Sequence, residues 1–224
     1  MKVYIPVKNK REMTGNLLAQ LKAQEGSHRI TVMDNGSEED IYGLCVEHQV
    51  EYWDCEGKTI HQMWNLALKR SRPGHVALFN NDLIIHSEDL LDRLDQVLDQ
   101  HPEVGVVSPY FGHPDHRVQL GLISVPPEIG PHGGCAGFCF AISDEIARWY
   151  TFPKDLKWWC GDNDLFLTAM HVGKKALCVV RDVRIEHIDG GSMTARDEEL
   201  EEICQRDIHT HNEKWSKVFG QDES

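Results

Sequence analysis

Three acidic side chains stand where short apolar runs of the 224-residue chain end or a helix is about to begin. Asp34 closes one apolar run, Asp82 follows a second, and Asp162 precedes an amphipathic segment. His187 ends a later apolar run and adds an imidazole. Carboxylates and imidazoles at the carboxyl ends of strands can bind a divalent cation or accept a proton from a hydroxyl group. These four residues therefore indicate a polar site at one edge of a sheet.

Each of these residues also has an ordinary structural explanation. Residues 34–37 (Asp-Asn-Gly-Ser) are typical of a turn that leads into a helix. Asp162 can serve as a helix N-cap, and Asp164 then becomes an acid of the first turn, whose loss is expected to cost about 0.3 to 1 kcal/mol. Trp158 and Trp159 are less ordinary, because adjacent residues of one element cannot both point inward. One of them can line a cleft and stack on a sugar ring.

The elements that position these residues follow from the apolar pattern. Over the first ninety residues, short apolar runs alternate with amphipathic runs, which predicts strand–helix units of a mostly parallel sheet. The predicted strands cover residues 3–7, 30–34, 50–53 and 76–80, and later ones cover 118–125, 138–142, 177–180 and 183–186. Helix starts are predicted at the N-cap side chains Asn9, Ser37, Thr59, Ser87, Ser143 and Asp162.

Composition narrows the class of protein. A hydrophobic content of 41% suffices for one substantial core, and no run reaches the roughly 18 apolar residues of a membrane span. We therefore expect a cytoplasmic protein. A net charge of −13 disfavours nonspecific binding to nucleic acid or anionic lipid. The seven cysteines are scattered through apolar segments without CxxC spacing, which predicts buried thiols and no structural zinc.

Taken together and in order, the motifs resemble those of family 2 glycosyltransferases with the GT-A fold, over about residues 1–195. The resemblance rests on a first strand ending in Pro-x-x-Asn, on Asp34-Asn35, on Asn80-Asn81-Asp82 at the DxD position, on Gly161-Asp162 and on His187. It implies that a nucleotide sugar is bound by Pro6, Val7, Asn9, Asp34, Asn35, Lys58, Asn65, Asn81 and Asp82. It also implies that Asp82 and His187 bind Mn²⁺ or Mg²⁺, that Asp162 is the catalytic base, and that Trp158 and Trp159 contact the acceptor.

The implied fold class is α/β, with a single GT-A type domain whose mostly parallel, Rossmann-like sheet is flanked by helices. Residues 1 to about 100 form the nucleotide-binding half, residues 101–195 the acceptor-binding half, and residues 196–224 an acidic C-terminal helical extension. The implied reaction is a metal-dependent, inverting transfer of a hexose-type sugar, with UDP-sugars the commonest donors. The acceptor hydroxyl could belong to a saccharide, a protein, a small molecule or a modified nucleobase.

Two departures from the family pattern keep alternatives open. Asn80 replaces the first carboxylate of the DxD motif, and Gly161 replaces the Glu that often precedes the catalytic Asp. A catalytically silent GT-A module that only binds a partner would explain both. A sugar nucleotidyltransferase has a similar sheet but opens with a glycine-rich loop after the first strand, whereas residues 6–11 contain no glycine.

Overall fold

The computed structural model describes residues 1–110, 135–188 and 198–219, together with the backbone of residues 122–124. In chain order, the elements of these ranges are β1 (Lys2–Val7), α1 (Arg11–Lys22), β2 (Arg29–Asp34), α2 (Ile41–His48), β3 (Glu51–Asp54), α3 (Ile60–Ser71), β4 (Val76–Phe79), β5 (Leu83–Ile85), α4 (Leu90–Gln100), β6 (Val104–Tyr110), β7 (Leu122–Ser124), β8 (Cys139–Ile142), α5 (Asp144–Trp149), α6 (Gly161–His171), β9 (Ala176–His187) and α7 (Glu198–Phe219). The strands form one curved sheet in the order β3-β2-β1-β4-β8-β6-β9-β5, and β7 pairs with β9.

The sheet is parallel in its first half and mixed in its second. β1 lies between β2 and β4, and β3 pairs with the outer edge of β2, all in parallel. β8 runs antiparallel to both β4 and β6, whereas β9 is parallel to β6. Because Phe79 at the end of β4 pairs with Cys139 at the start of β8, the residues that follow β4 and those that precede β8 meet at the same edge.

β9 is a single strand of 12 residues. The sequence predicts two strands here, since Arg181 and Asp182 are polar, and both are exposed. The backbone nevertheless continues, with a register shift opposite Pro109 and Tyr110. The first part of β9 pairs with β6, and its last three residues pair with β5. This continuity carries His187 to the edge of the sheet where β4 ends.

Apolar side chains cover both faces of the sheet. Alternating residues of β1 point to opposite sides, as the period of two requires, so that Val3 and Ile5 join one cluster and Tyr4 joins the other. The first cluster includes the buried faces of α1, α2 and α4, and the second includes those of α3, α5 and α6. All seven cysteines are buried and none forms a disulfide, in agreement with the prediction from their spacing.

Two of the predicted helix caps are correct and the others are wrong. Thr59 forms a capping box at the start of α3, and Ser143 accepts a hydrogen bond from Ile146 at the start of α5. The predicted cap Ser87 instead accepts a hydrogen bond from the backbone N–H of Arg184. A hydrogen bond to a distant residue thus replaces the capping bond that the local sequence predicts for Ser87. The N-cap residues of α1, α2, α4 and α6 are instead Lys10, Asp40, Asp89 and Cys160.

The C-terminal helix α7 packs through a narrow face whose buried residues are Cys204, Asp207, His211 and Trp215. The predicted boundary between residues 195 and 196 lies outside the described residues, as does most of the predicted connection between residues 110 and 134. Across the described ranges, none of the helices is both long and apolar enough to cross a membrane.

Candidate active site

The ends of β1 and β2 are joined by a hydrogen-bond network around the buried carboxylate of Asp34. Its Oδ1 accepts from the backbone N–H and the hydroxyl of Ser37, at 3.0 and 2.6 Å, and its Oδ2 accepts from the hydroxyl of Tyr52 at 3.1 Å. Burial and this bond to Asp34 raise the pKa of Tyr52 to about 12. Ser37 Oγ also accepts from the N–H of Asn9 at 2.7 Å, and Asn9 Oδ1 accepts from the N–H of Glu38 at 2.8 Å. The network fixes the two strand ends relative to each other.

The other residues predicted at the nucleotide lie on the same edge. Pro6 and Val7 end β1, and Val7 O accepts a hydrogen bond of 2.8 Å from the N–H of Asn35. Lys58 closes the turn after β3, where its N–H donates to Cys55 O at 3.1 Å. The pKa of Cys55 is raised by burial, while the Lys58 ammonium acts to lower it. A cation and two anchored strand ends therefore lie together beyond β1, β2 and β3.

The two predicted metal ligands are brought together by the pairing of β5 with β9. Asp82 is 1% exposed, and its Oδ1 lies 3.2 Å from His187 Nε2. The backbone N–H of Ile188 donates to Asp82 O at 2.9 Å. The imidazole of His187 stacks on Phe138, with ring centroids 4.2 Å apart and an interplanar angle of 3°. Strand pairing and ring stacking thus orient His187 toward the Asp82 carboxylate.

The two asparagines before Asp82, Asn80 and Asn81, form hydrogen bonds to neighbouring elements. The N–H of Asn80 donates to Phe138 O at 2.8 Å, which ties the end of β4 to the start of β8. The side chain of Asn81 donates to Thr14 Oγ1 in α1 at 3.1 Å, and both residues are buried. Among the described residues, no group of three or more His, Cys, Asp and Glu side chains could hold a metal ion. Asp82 and His187 therefore fit a divalent cation only as part of its ligand set.

Asp162 lies against the residues that lead into β8. It is half-buried and is the second residue of α6, so that its predicted role as N-cap is wrong and Cys160 holds that position. Its carboxylate lies against Gly137, where a Cβ atom would collide with Asp162 Oδ2. The next residue, Phe138, stacks on His187. Gly137 and Phe138 thus bring the predicted base close to the predicted metal ligands.

Gly161 leaves room for a histidine that the sequence does not single out. A Cβ atom at Gly161 would collide with His61 Nε2. His61 is 2% exposed and its ring lies parallel to that of Phe152. Its Nδ1 is 2.8 Å from Leu156 O, and since a carbonyl can only accept, Nδ1 carries the proton. Burial lowers the pKa of His61. The signal that could have identified His61 from the sequence is its place among the residues that α3 buries.

Asp164 lies in the first turn of α6, as predicted, but it is a buried centre of contacts, so the expectation that it is an ordinary acid of that turn is wrong. It is 1% exposed. Its Oδ2 accepts from the hydroxyl of Tyr150 at 2.9 Å. Its Oδ1 accepts from Trp215 Nε1 at 3.1 Å and pairs with the ammonium of Lys214, both in α7. Burial and the nearby Asp164 carboxylate raise the pKa of Tyr150 well above its ordinary value.

The remaining predicted site residues have structural contacts. Both ends of the Asn65 amide pair with the backbone of Phe152, as Nδ2 donates to its carbonyl at 3.0 Å and Oδ1 accepts from its N–H at 2.8 Å. A contact between Asn65 and a donor stays a prediction. Trp158 and Trp159 are half-buried, and their backbone N–H groups donate to Asp207 in α7. The sequence gives no indication of this role for Asp207 beyond its place on the buried face of α7.

The fold and the residues at its edge define the class of protein. Parallel strands in the first half of the sheet, an antiparallel β8 and the pairing of β5 with β9 after Asp82 form the arrangement of a GT-A fold, and the family match given next shows that the chain is a glycosyltransferase. The model of glycosyl transferase family 2 matches residues 2–152. The chain therefore belongs to glycosyl transferase family 2, and the predicted fold and family are confirmed.

Solved structures show the same fold. S. aureus TarS 1-349 has a TM-score of 0.61 and 16% identity, with 94% of this chain and 71% of that chain covered. A mannosyltransferase from Pyrobaculum calidifontis, in complex with GDP-Man and Mn²⁺, has a TM-score of 0.65 and 16% identity, with 83% and 56% covered. Glucosyl-3-phosphoglycerate synthase from Mycobacterium tuberculosis, in complex with Mn²⁺, UDP and glucosyl-3-phosphoglycerate, has a TM-score of 0.67 and 15% identity, with 92% and 76% covered.

The chain thus spans between 56% and 76% of the length of these three structures. At such identities the likeness establishes the fold, and the ligands named above belong to those proteins. A search of curated proteins found no match.

Proposed function

We propose that the chain transfers a hexose-type sugar from a nucleoside diphosphate sugar, with UDP as the preferred nucleotide, to a hydroxyl group of an acceptor. The observation that carries this proposal is the contact of Asp162 with Gly137, next to the stacking of Phe138 on His187. A candidate base and a candidate diphosphate site are thereby close enough to act on one substrate. Relatives of the same fold whose structures contain GDP-Man, UDP or UDP-GlcNAc support the choice of donor.

The nucleoside is proposed to bind at the ends of β1, β2 and β3. Asn9 and Asp34 are held there by the shared Ser37 network, so donor binding requires little rearrangement of these strand ends. Val7 and Asn35 form the floor through their backbone hydrogen bond, beside Pro6. The ammonium of Lys58 would attract the diphosphate.

Asp82 and His187 would hold Mn²⁺ or Mg²⁺ together with oxygen atoms of the donor diphosphate. A bound cation would supply positive charge that stabilises the departing nucleoside diphosphate. The carboxylate of Asp82 is 1% exposed, and a buried carboxylate is costly unless it is paired with a cation or with donors. Mn²⁺ in two of the similar structures gives further support.

Asp162 is proposed as the base. Its carboxylate would accept the proton of the acceptor hydroxyl while that oxygen attacks the anomeric carbon on the face opposite the diphosphate. The bond between the anomeric carbon and the diphosphate oxygen breaks, and its electron pair leaves with the nucleotide. One displacement of this kind inverts the anomeric configuration. The aromatic faces of Trp158 and Trp159 are proposed to contact the acceptor.

A catalytically silent binding module is the competing proposal, because Asn80 removes a carboxylate from the site. The other departure, at Gly161, has a steric explanation in the position of His61. Donor turnover separates the two proposals, since a silent module would bind a nucleotide sugar without consuming it. The absence of glycine from residues 6–11 continues to disfavour a sugar nucleotidyltransferase.

The test combines a melting-temperature screen with calorimetry and a donor hydrolysis assay. UDP, GDP and their sugars are added with and without Mn²⁺, since a ligand that binds only the folded state raises the melting temperature. Asp82→Ala is expected to abolish the Mn²⁺-dependent part of donor affinity. Asp162→Asn is expected to keep donor affinity and lower turnover by about 10²-fold or more.

The exposed Asp155 provides a matched control, because Asp155→Asn makes the same chemical change six residues before the first residue of the helix that carries Asp162. This variant should behave as wild type in all three assays. Failure of every nucleotide to raise the wild-type melting temperature would refute the donor assignment. Wild-type turnover in Asp162→Asn would refute the base.

A further inference from the structure

A buried carboxylate of α7 holds the turn that precedes Asp162. Asp207 is 1% exposed, and its Oδ2 accepts from the backbone N–H groups of Lys157, Trp158 and Trp159 at 2.9, 2.7 and 2.9 Å. Three consecutive N–H groups that converge on one oxygen form a nest, a backbone arrangement suited to an anion. Because the acceptor is charged, these hydrogen bonds are stronger than neutral ones. The conformation of this turn therefore depends on a residue 48 to 50 positions away in the chain.

The same face of α7 also holds the other side of Asp162. Trp215 and Lys214 bind the carboxylate of Asp164, two residues after Asp162. Asp207 and Trp215 are eight residues apart, which places them on one side of a helix two turns apart. One rigid helix thus contacts the backbone before Asp162 and the side chain after it.

The backbone between these two contacts is unusual. Cys160, the N-cap of α6, has a φ angle of 60° in the left-handed region. A residue with a Cβ atom adopts this conformation only at a cost, and surrounding contacts must hold it there. Asp207 provides such contacts immediately before Cys160. The position of the first turn of α6, and with it the carboxylate of Asp162 against Gly137, follows from this constraint.

We propose that Asp207 is a positioning residue for the transfer reaction, which fixes the catalytic turn 157–162 from the C-terminal helix. It acts through the backbone of residues 157–159 and not by contact with the reacting atoms. The inference rests on the proposed role of Asp162 as base. It gives α7 a function in catalysis that its acidic, mostly exposed sequence does not indicate.

Hydrogen exchange of the full chain, followed by mass spectrometry, tests the contact. Asp207→Ala removes all three hydrogen bonds, and Asp207→Asn keeps an oxygen that can accept them without the charge. We expect exchange at residues 157–160 to accelerate by at least about tenfold in Asp207→Ala and by less in Asp207→Asn. The matched control Glu202→Gln changes an exposed carboxylate of the same helix and should leave exchange unchanged.

Kinetics with UDP-sugars and Mn²⁺ test the positioning role. Asp207→Ala is expected to keep the donor Kd within about twofold and to lower kcat for donor hydrolysis by about tenfold or more, because a misplaced base is ineffective. Asp207→Asn should recover part of this loss. If Asp207→Ala does not fold, Asp207→Asn carries both measurements, with the same direction expected.

Three results would overturn the inference. Unchanged exchange at residues 157–160 would show that Asp207 does not hold the turn. Equal acceleration throughout the sheet would show global destabilisation, and a faster-exchanging turn with wild-type kcat would show a purely structural contact. Absence of turnover in the wild type would instead count against the proposed function, so that the two failures are distinguishable.

Discussion

Replacement of Asp164 by Ala removes the acceptor shared by Tyr150, which directly follows α5, and by α7. The hydroxyl of Tyr150 and the indole N–H of Trp215 would then be left unpaired, and each of these residues is only 4% exposed. A hydrogen bond to a charged group contributes about 1.5 to 3 kcal/mol. The side chain of Lys214 is 45% exposed, so its ion pair adds no more than about 1 kcal/mol. We therefore expect Asp164→Ala to lower the free energy of unfolding by about 3 to 5 kcal/mol.

For a chain of this length, such a loss lowers the melting temperature by about 6 to 20 °C. Thermal denaturation followed by circular dichroism measures it, with the exposed Asp155→Ala as the matched control. Asp164→Asn retains one oxygen for Trp215, so its melting temperature should lie between those of Asp164→Ala and Asp155→Ala. Lys214→Met measures the contribution of the ion pair separately. A fall of less than about 2 °C in Asp164→Ala would show that Asp164 is an ordinary helix acid and that our account of α7 docking is wrong.

Three further variants test other parts of the site. Because burial lowers the pKa of His61 below its ordinary 6.5, the unfolded chain binds more protons and stability falls as the pH drops below that value. His61→Asn should reduce the pH dependence of the unfolding free energy below about pH 6.5 by up to about 1.4 kcal/mol per pH unit. Denaturant titrations at several pH values measure this, and an equal slope of unfolding free energy against pH in the variant and the wild type would contradict it. Gly137→Ala should displace the carboxylate of Asp162 and lower donor turnover by about 10²-fold at constant donor Kd, measured by kinetics and calorimetry. Asn65→Ala should lower the free energy of unfolding by about 1 to 3 kcal/mol in chemical denaturation, because its pairing with Phe152 is lost. The same variant should weaken donor binding in calorimetry, and an unchanged donor Kd would refute the predicted contact between Asn65 and the donor.

The parts of the candidate site that can be predicted from the sequence are the polar residues at the end of a strand or just after it. Asp34, Asp82 and His187 each follow an apolar run, and the carboxyl ends of strands are where such folds bind ligands. The parallel order of β1 to β4 follows in the same way from alternating strands and helices. Periodicity and strand ends therefore account for the parallel first half of the sheet and for the choice of most candidate residues.

The rest depends on contacts between distant segments, which local patterns do not contain. His61 contacts a carbonyl 95 positions later, and Trp215 contacts a carboxylate 51 positions earlier. A short apolar run has the same pattern in a parallel and in an antiparallel strand, so the sequence of β8 does not predict its antiparallel placement. Ser37 caps no helix because its hydroxyl group donates to Asp34, which a capping pattern cannot reveal.

The position of β9 in the sheet has a consequence for how this protein can be divided for study. The family match ends at residue 152, whereas β9, at Ala176–His187, lies between β6 and β5. A fragment cut at residue 152 would leave the apolar strand β6 with a row of unpaired N–H and C=O groups along one side. Unprotected strand edges of this kind recruit other chains, and such a fragment is expected to aggregate. The segment by which the family is recognised is thus shorter than the segment that must be expressed to obtain a folded protein.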